Sequence, residues 1–179
     1  MYEHYKIARN KAWECLIETN TNTLPISLNK IIKYYKLNFV LFEDNIKEAF
    51  TKNNIIHINK NLPKTRGRFT IAHELGHILL NHKNLSHTIH NENDNKNIEE
   101  YQANIFARCL LMPAIVLKEI NCIEPQDIAN ICNVSLQSAV YRSERMKELL
   151  KRNKFNLSPL ERQVYINFND FIFKNKYII

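Results

Sequence analysis

The string His73-Glu74-Leu75-Gly76-His77 is where this sequence can do chemistry. On an α-helix, residues i and i+4 lie one turn apart on the same face. Two imidazoles placed that way can grip one metal ion from one side. Glu74 follows His73 by one residue, ~100° round a 3.6-residue turn. It borders the ligand face without joining it, where a carboxylate can act on a water molecule as general base. The same pattern also arises by chance from two ordinary core or surface histidines. Three features favour the functional reading. Phe69, Ala72, Leu75, Ile78 and Leu79 recur at helical spacing, so a helix is expected over 66–82. The histidines lie near that apolar stripe. Gly76 sits inside the helix, which costs ~1 kcal/mol against alanine, so something is expected to approach it closely.

A catalytic zinc site takes three protein ligands and keeps one position open. A third ligand on the same helix would need histidine at 83 and glycine at 80, but Lys83 and Leu80 stand there. Glu100 is the best candidate from elsewhere. It lies on a helix expected over 98–111, after a polar, Asn-rich loop long enough to turn the chain back. Asn104 is one turn on, on the same face. Its side-chain oxygen could accept the outer N–H of His73 or His77 and so fix the tautomer. Glu99 points ~100° away from that face. His82, His87 and His90 lie near or in the loop and compete as ligands, although each reads more simply as a solvated histidine. His57, between Ile56 and Ile58 on an expected strand, could line the cleft; a satisfied sheet histidine is the ordinary reading.

The elements that must position these residues can be read from pattern. Tyr5, Ala8, Ala12 and Cys15 mark an amphipathic helix over 2–19. Ser27 can cap a short helix over 28–36. Strands are expected over 37–43 and 54–59, with Glu48–Phe50 pairing as a third, giving a small antiparallel sheet. Thr65 is the expected N-cap of the histidine helix, and Met112-Pro113 ends the Glu100 helix. The last third is helical. Segments 125–132 and 136–150 flank a turn at Asn133–Ser135, and Ser158-Pro159 opens a final helix. Asn133 can take the left-handed conformation usual for glycine, so 124–150 resembles a helix-turn-helix. The chain thus divides into a core, 1–120, and a helical tail, 121–179, packed on it.

The 179 residues suit one compact domain, or one with a small appendage. Such a chain buries ~70% of its unfolded surface and needs no disulfides. Cys15, Cys109, Cys122 and Cys132 match no metal knuckle or disulfide framework, and read as reduced core thiols of a cytoplasmic protein. The two glycines, Gly67 and Gly76, exclude glycine-rich phosphate loops. The formal charge is +7, with a modest cluster at Lys147, Lys151, Arg152 and Lys154. A solvated basic surface accounts for it, with an acidic or nucleic-acid partner as the alternative. No signal peptide or membrane-length apolar run is seen, so no membrane partner is expected.

RFTIAHELGHILLNH (68–82), followed by EEYQANIFARCLLMP (99–113), resembles the ImmA/IrrE metallopeptidases. The second block, Glu-x-x-Ala-Asn-x-Phe-Ala and then Leu-Leu-Met-Pro, is the more telling. IIHINKNLP before the first block and DIANICNVSLQSAVYRSERM (127–146) after the second extend the likeness from about residue 25 to the C-terminus. The resemblance implies a mainly helical, zincin-like α+β fold. It implies His73, His77 and Glu100 as metal ligands and Glu74 as the catalytic glutamate. Zinc is the expected metal, although the same ligands accept manganese. Gln102 stands where the family often has a carboxylate, with no effect expected on the metal. The chain resembles the minimal form of the family, without a further sensory domain. The implied activity is limited proteolysis of a helix-turn-helix transcriptional repressor, often encoded nearby, which releases genes of a mobile element or of a DNA-damage response. A protease also needs a group for the tetrahedral oxyanion; Tyr141, Arg142 and His90 are the candidates, Tyr141 otherwise reading as helix packing. The alternative is a non-proteolytic repressor- or DNA-binding module with a structural metal. Direct DNA binding is the weaker form of it, because Arg142, Arg145 and Lys147 lie beyond the N-terminal part of their helix, where base contacts usually arise.

Overall fold

Ala8, Ala12, Cys15 and Leu16 bury one face of α1 (Tyr2–Glu18) completely. This helix lies along α4 (Asp94–Leu111), which in turn packs on α3 (Lys64–Leu79). The computed structural model describes residues 1–52, 55–82 and 94–176 of the protein, with side chains from 98 onward in α4. Ser27 caps α2 (Leu28–Tyr34) by accepting the Lys30 N–H. α4 is followed by α5 (Ala114–Glu119), and then by α6 (Pro125–Cys132), α7 (Leu136–Lys151), α8 (Pro159–Asn167) and α9 (Asn169–Asn175). Ser135 and Ser158 cap α7 and α8 through the N–H groups of Ser138 and Glu161. The fold is mainly helical α+β, as expected.

Its sheet is mixed rather than wholly antiparallel. The strands β1 (Asn38–Phe42), β2 (Ala49–Lys52) and β3 (Ile55–Asn59) lie in the order β1-β3-β2. The short link from Lys52 to Ile55 forces β2 and β3 to run antiparallel, with Phe50 opposite His57. The longer link 43–48 carries the chain across β3, so β1 returns parallel to it, with Val40 opposite His57. Link length decided this, and alternation within each strand cannot reveal it.

Five helix ends are set by asparagine. Asn20, Asn81, Asn121, Asn133 and Asn153 have positive φ, whereas neither glycine does. Each follows a helix, and the amide beyond it reaches back into the last turn: Thr21 to Leu16, His82 to His77, Cys122 to Leu117, Val134 to Ala129 and Lys154 to Leu149. Asparagine tolerates the left-handed region and takes the place that glycine usually holds in this C-terminal motif. The left-handed turn expected at Asn133 is present. Thr65 is not the cap of α3. The helix starts at Lys64, two residues earlier than expected, with Pro63 at the N-cap position, and the Gly67 N–H bonds the Pro63 carbonyl. Proline's fixed φ sets the entry angle without a side-chain cap.

What approaches Gly76 is α4. A Cβ there would lie 3.1 Å from both Ala103 Cα and Phe106 Cδ1. The missing side chain lets the two backbones touch, which brings the histidine face of α3 up to the Glu100 face of α4. One hydrophobic cluster runs from Ala8 to Ile172 and includes residues of both core and tail. Arg68 ties α3 to that tail by donating to the Asn133 carbonyl, and to the segment before α2 by donating to the Ile26 carbonyl. All four cysteines are buried and free. Burial pushes the thiols of Cys15 and Cys122 up to about 12 and about 11. Among the described residues, no helix is long and apolar enough to cross a membrane.

Candidate metal centre

His73 and His77 project one turn apart from α3 toward Glu100 on α4. Their Nε2 atoms are 3.0 Å apart. Glu100 Oε2 lies 3.2 Å from the first and Oε1 3.5 Å from the second. Two ligand atoms each ~2.1 Å from one zinc at a tetrahedral angle sit ~3.4 Å apart, close to these separations. The donor set, two imidazoles and a carboxylate, suits a divalent ion, and it is a group among the described residues able to hold one. Hydrogen bonds from the two imidazoles hold the Glu100 carboxyl well below the usual carboxylate range, so it stays an anion.

Each imidazole is held from behind. His73 Nδ1 is 3.2 Å from Asn104 Oδ1. The amide oxygen can only accept, so Nδ1 keeps a proton, and Nε2, which faces Glu100, is the nitrogen that would give up its own proton and offer a lone pair to a metal. His77 Nδ1 is 2.9 Å from His82 Nδ1, and His82 Nε2 is 3.3 Å from Gln102 Oε1. For His77 Nε2 to ligate, its Nδ1–H must donate to His82, which then donates from Nε2 to Gln102. Burial first, and His77 second, depress the His82 pKa, consistent with the neutral ring this chain requires. His82 is no solvated loop histidine: it is 7% exposed. The left-handed Asn81 turns the chain so that His82 folds back onto the helix it has just left.

Glu74 is 2% exposed, and its Oε2 accepts a 2.7 Å hydrogen bond from Thr51 Oγ1. Thr51 points inward from β2. The sheet therefore orients the carboxylate from one side while α3 holds its backbone. His73, Glu74, Glu100 and Asn104 share a cleft of 460 Å³ with Phe69, Thr70 and the segment 46–49. Arg66 also lines it, paired with Glu48 at 2.9 Å. Of the residues weighed from sequence, His57 stays in the sheet and stacks on Phe50, ring centroids 4.3 Å apart. Glu99 is not in the ligand group, and Tyr141 and Arg142 line another cavity rather than this cleft. His87 and His90 lie outside the described residues.

Thr51, His82 and Gln102 were not assigned positioning roles from sequence. The only signal was the asparagine after the helix, which marks a reversal but not what the reversal meets. We expect His82→Phe to weaken metal binding ~10–100-fold, the usual cost of losing a partner of a ligand. Competition with a coloured chelator measures it; wild-type affinity would reduce His82 to packing.

Two histidines on one helix and a carboxylate on the next, beside a small sheet, fit a metallopeptidase-type protein. A family model described as the IrrE N-terminal-like domain, of the peptidase family M78, matches residues 32–144, more than half of the chain. The chain belongs to this family. No curated protein matches it.

Proposed function

We propose that the protein is a zinc-dependent endopeptidase whose substrate is a helix-turn-helix transcriptional repressor. The observation that carries the reading is the convergence of His73, His77 and Glu100 on one point, with Glu74 in the same cleft. When bound there, a divalent ion supplies Lewis-acid polarisation of a carbonyl and lowers the pKa of a neighbouring water. Glu74 takes the proton of the attacking water and delivers it to the leaving amine. Thr51 holds Glu74 in place, and Asn104 and His82 hold the two rings. Manganese suits the same ligands. β2 is an edge strand beside the cleft, so an extended stretch of substrate can pair with it.

The tail supports a protein partner over DNA. Arg142 is 3% exposed, Arg145 pairs with Glu148 at 2.6 Å, and Lys147 meets Glu124 at 3.4 Å. The three basic residues are thus buried or engaged. Leu136 and Tyr141, near the start of α7, are instead about half exposed and offer apolar contact. The alternative of a DNA-binding module loses support accordingly.

The test is co-expression with the helix-turn-helix repressor encoded beside the gene, read by intact mass. Two fragments that sum to the repressor plus one water are expected, and they identify the cut bond. An intact repressor beside metal-loaded protein would overturn this choice of substrate.

A further inference from the structure

A second cavity of 360 Å³ is lined by residues of α1, α4 and α7, and falls within the ~300–1,000 Å³ range of small-molecule sites. Tyr5, Tyr101, Arg108, Tyr141, Arg142 and Arg145 line it, and its lining holds no carboxylate. Arg142 is the unusual member. It is buried, yet its guanidinium meets only neutral groups: Nη2 donates to the Arg108 carbonyl at 2.7 Å and reaches Cys109 Sγ at 3.7 Å. The Nε–H groups of Arg142 and Arg145 are buried without partners. Among the described residues, no carboxylate comes within ion-pair distance of Arg142 or Arg108, and Arg145 alone has one, Glu148. Burial pushes the Tyr5 hydroxyl up, so it remains neutral and compensates nothing.

A buried cation without a counter-charge is costly, and burial is ordinarily accompanied by pairing. Arginine's planar fork matches phosphate oxygens. The aromatic walls suit a flat ring: Arg108 already lies 5.7 Å over Tyr141, and Arg145 lies 5.3 Å over Tyr5. An adjoining cavity shares Tyr5, Arg142 and Arg145 and adds Lys6, Arg9, Arg152 and Lys154, with Glu161 the one acid in its lining. The positive field therefore extends beyond the first cavity.

We infer that this cavity binds a small phosphorylated molecule bearing a planar ring, of the nucleotide class, with its phosphate on Arg142 and Arg145 and its ring against the tyrosines. The site is independent of the peptidase reading. Arg108 and Tyr101 stand on the helix that carries Glu100, so occupancy bears on the same element.

The test is calorimetric titration of the full chain with adenosine 5′-monophosphate, ribose 5-phosphate and inorganic phosphate. Saturable binding of the nucleotide at ~10–100 µM is expected, with the two ringless anions ~10-fold weaker or more. Arg142→Lys, Arg108→Met and Arg145→Met should each raise the nucleotide Kd ~10-fold, with metal content unchanged. The last two are partly exposed and test the site if the first fails to fold. No saturable binding up to ~1 mM, wild-type affinity in the variants, or phosphate binding as tightly as the nucleotide would overturn the assignment.

Discussion

Glu74→Gln is expected to abolish the proposed repressor cleavage while leaving metal content at the wild-type level. The carboxamide keeps the shape and can still take the Thr51 hydrogen bond on its oxygen, now at 2.7 Å from the carboxylate. It has no basic oxygen for the proton of water. General-base loss of this kind costs ~10²–10⁴ in rate. The structure sharpens the expectation because Glu74 is nearly fully buried and borders, rather than belongs to, the ligand group. Metal content and cleavage should therefore separate cleanly. Metal analysis and single-turnover cleavage on one preparation check both halves. Cleavage at the wild-type rate would assign the base to another residue; loss of metal would make Glu74 part of the ligand set.

Glu100→Ala should act in the opposite order, metal first. Its two oxygens each face one imidazole, at 3.2 and 3.5 Å, and no other carboxylate among the described residues joins that group. Removing it leaves two nitrogens for an ion that takes three protein ligands. The affinity loss should exceed the ~10–100-fold typical of an outer partner. Metal measured by mass spectrometry after dialysis is expected to fall far below one ion per chain, and activity to fall with it. Stability should be far less affected than metal content, because the Glu100 side chain is 33% exposed and lines an open cleft. Metal retained at wild-type level after dialysis would move the third ligand to another residue.

These two variants test roles that spacing suggested. His73 and His77 at i and i+4, and Glu100 with Asn104 at the same interval, are local facts of helix geometry. So are the segments of α1, α6, α7 and α8, whose caps and apolar stripes lie within a few residues of one another in the sequence. Gly76 likewise announced a close approach. Helical periodicity acts over a single turn, so the chain states it directly.

Tertiary structure decided what depends on residues far apart. The parallel pairing of β1 with β3 follows from how the link 43–48 crosses the sheet, which no strand's own alternation records. Thr51 meets Glu74 only because β2 lies over α3, and His82 meets His77 and Gln102 only because Asn81 folds the chain back beneath α4. Arg142 read from sequence as a candidate for DNA or an oxyanion; packing of α7 against α1 and α4 buried it in a separate basic cavity. Two α-helices can cross at many points along their lengths, and the sequence of either alone does not say which. Contact between Gly76 and Ala103 selects one crossing, and that crossing sets which distant side chains become neighbours.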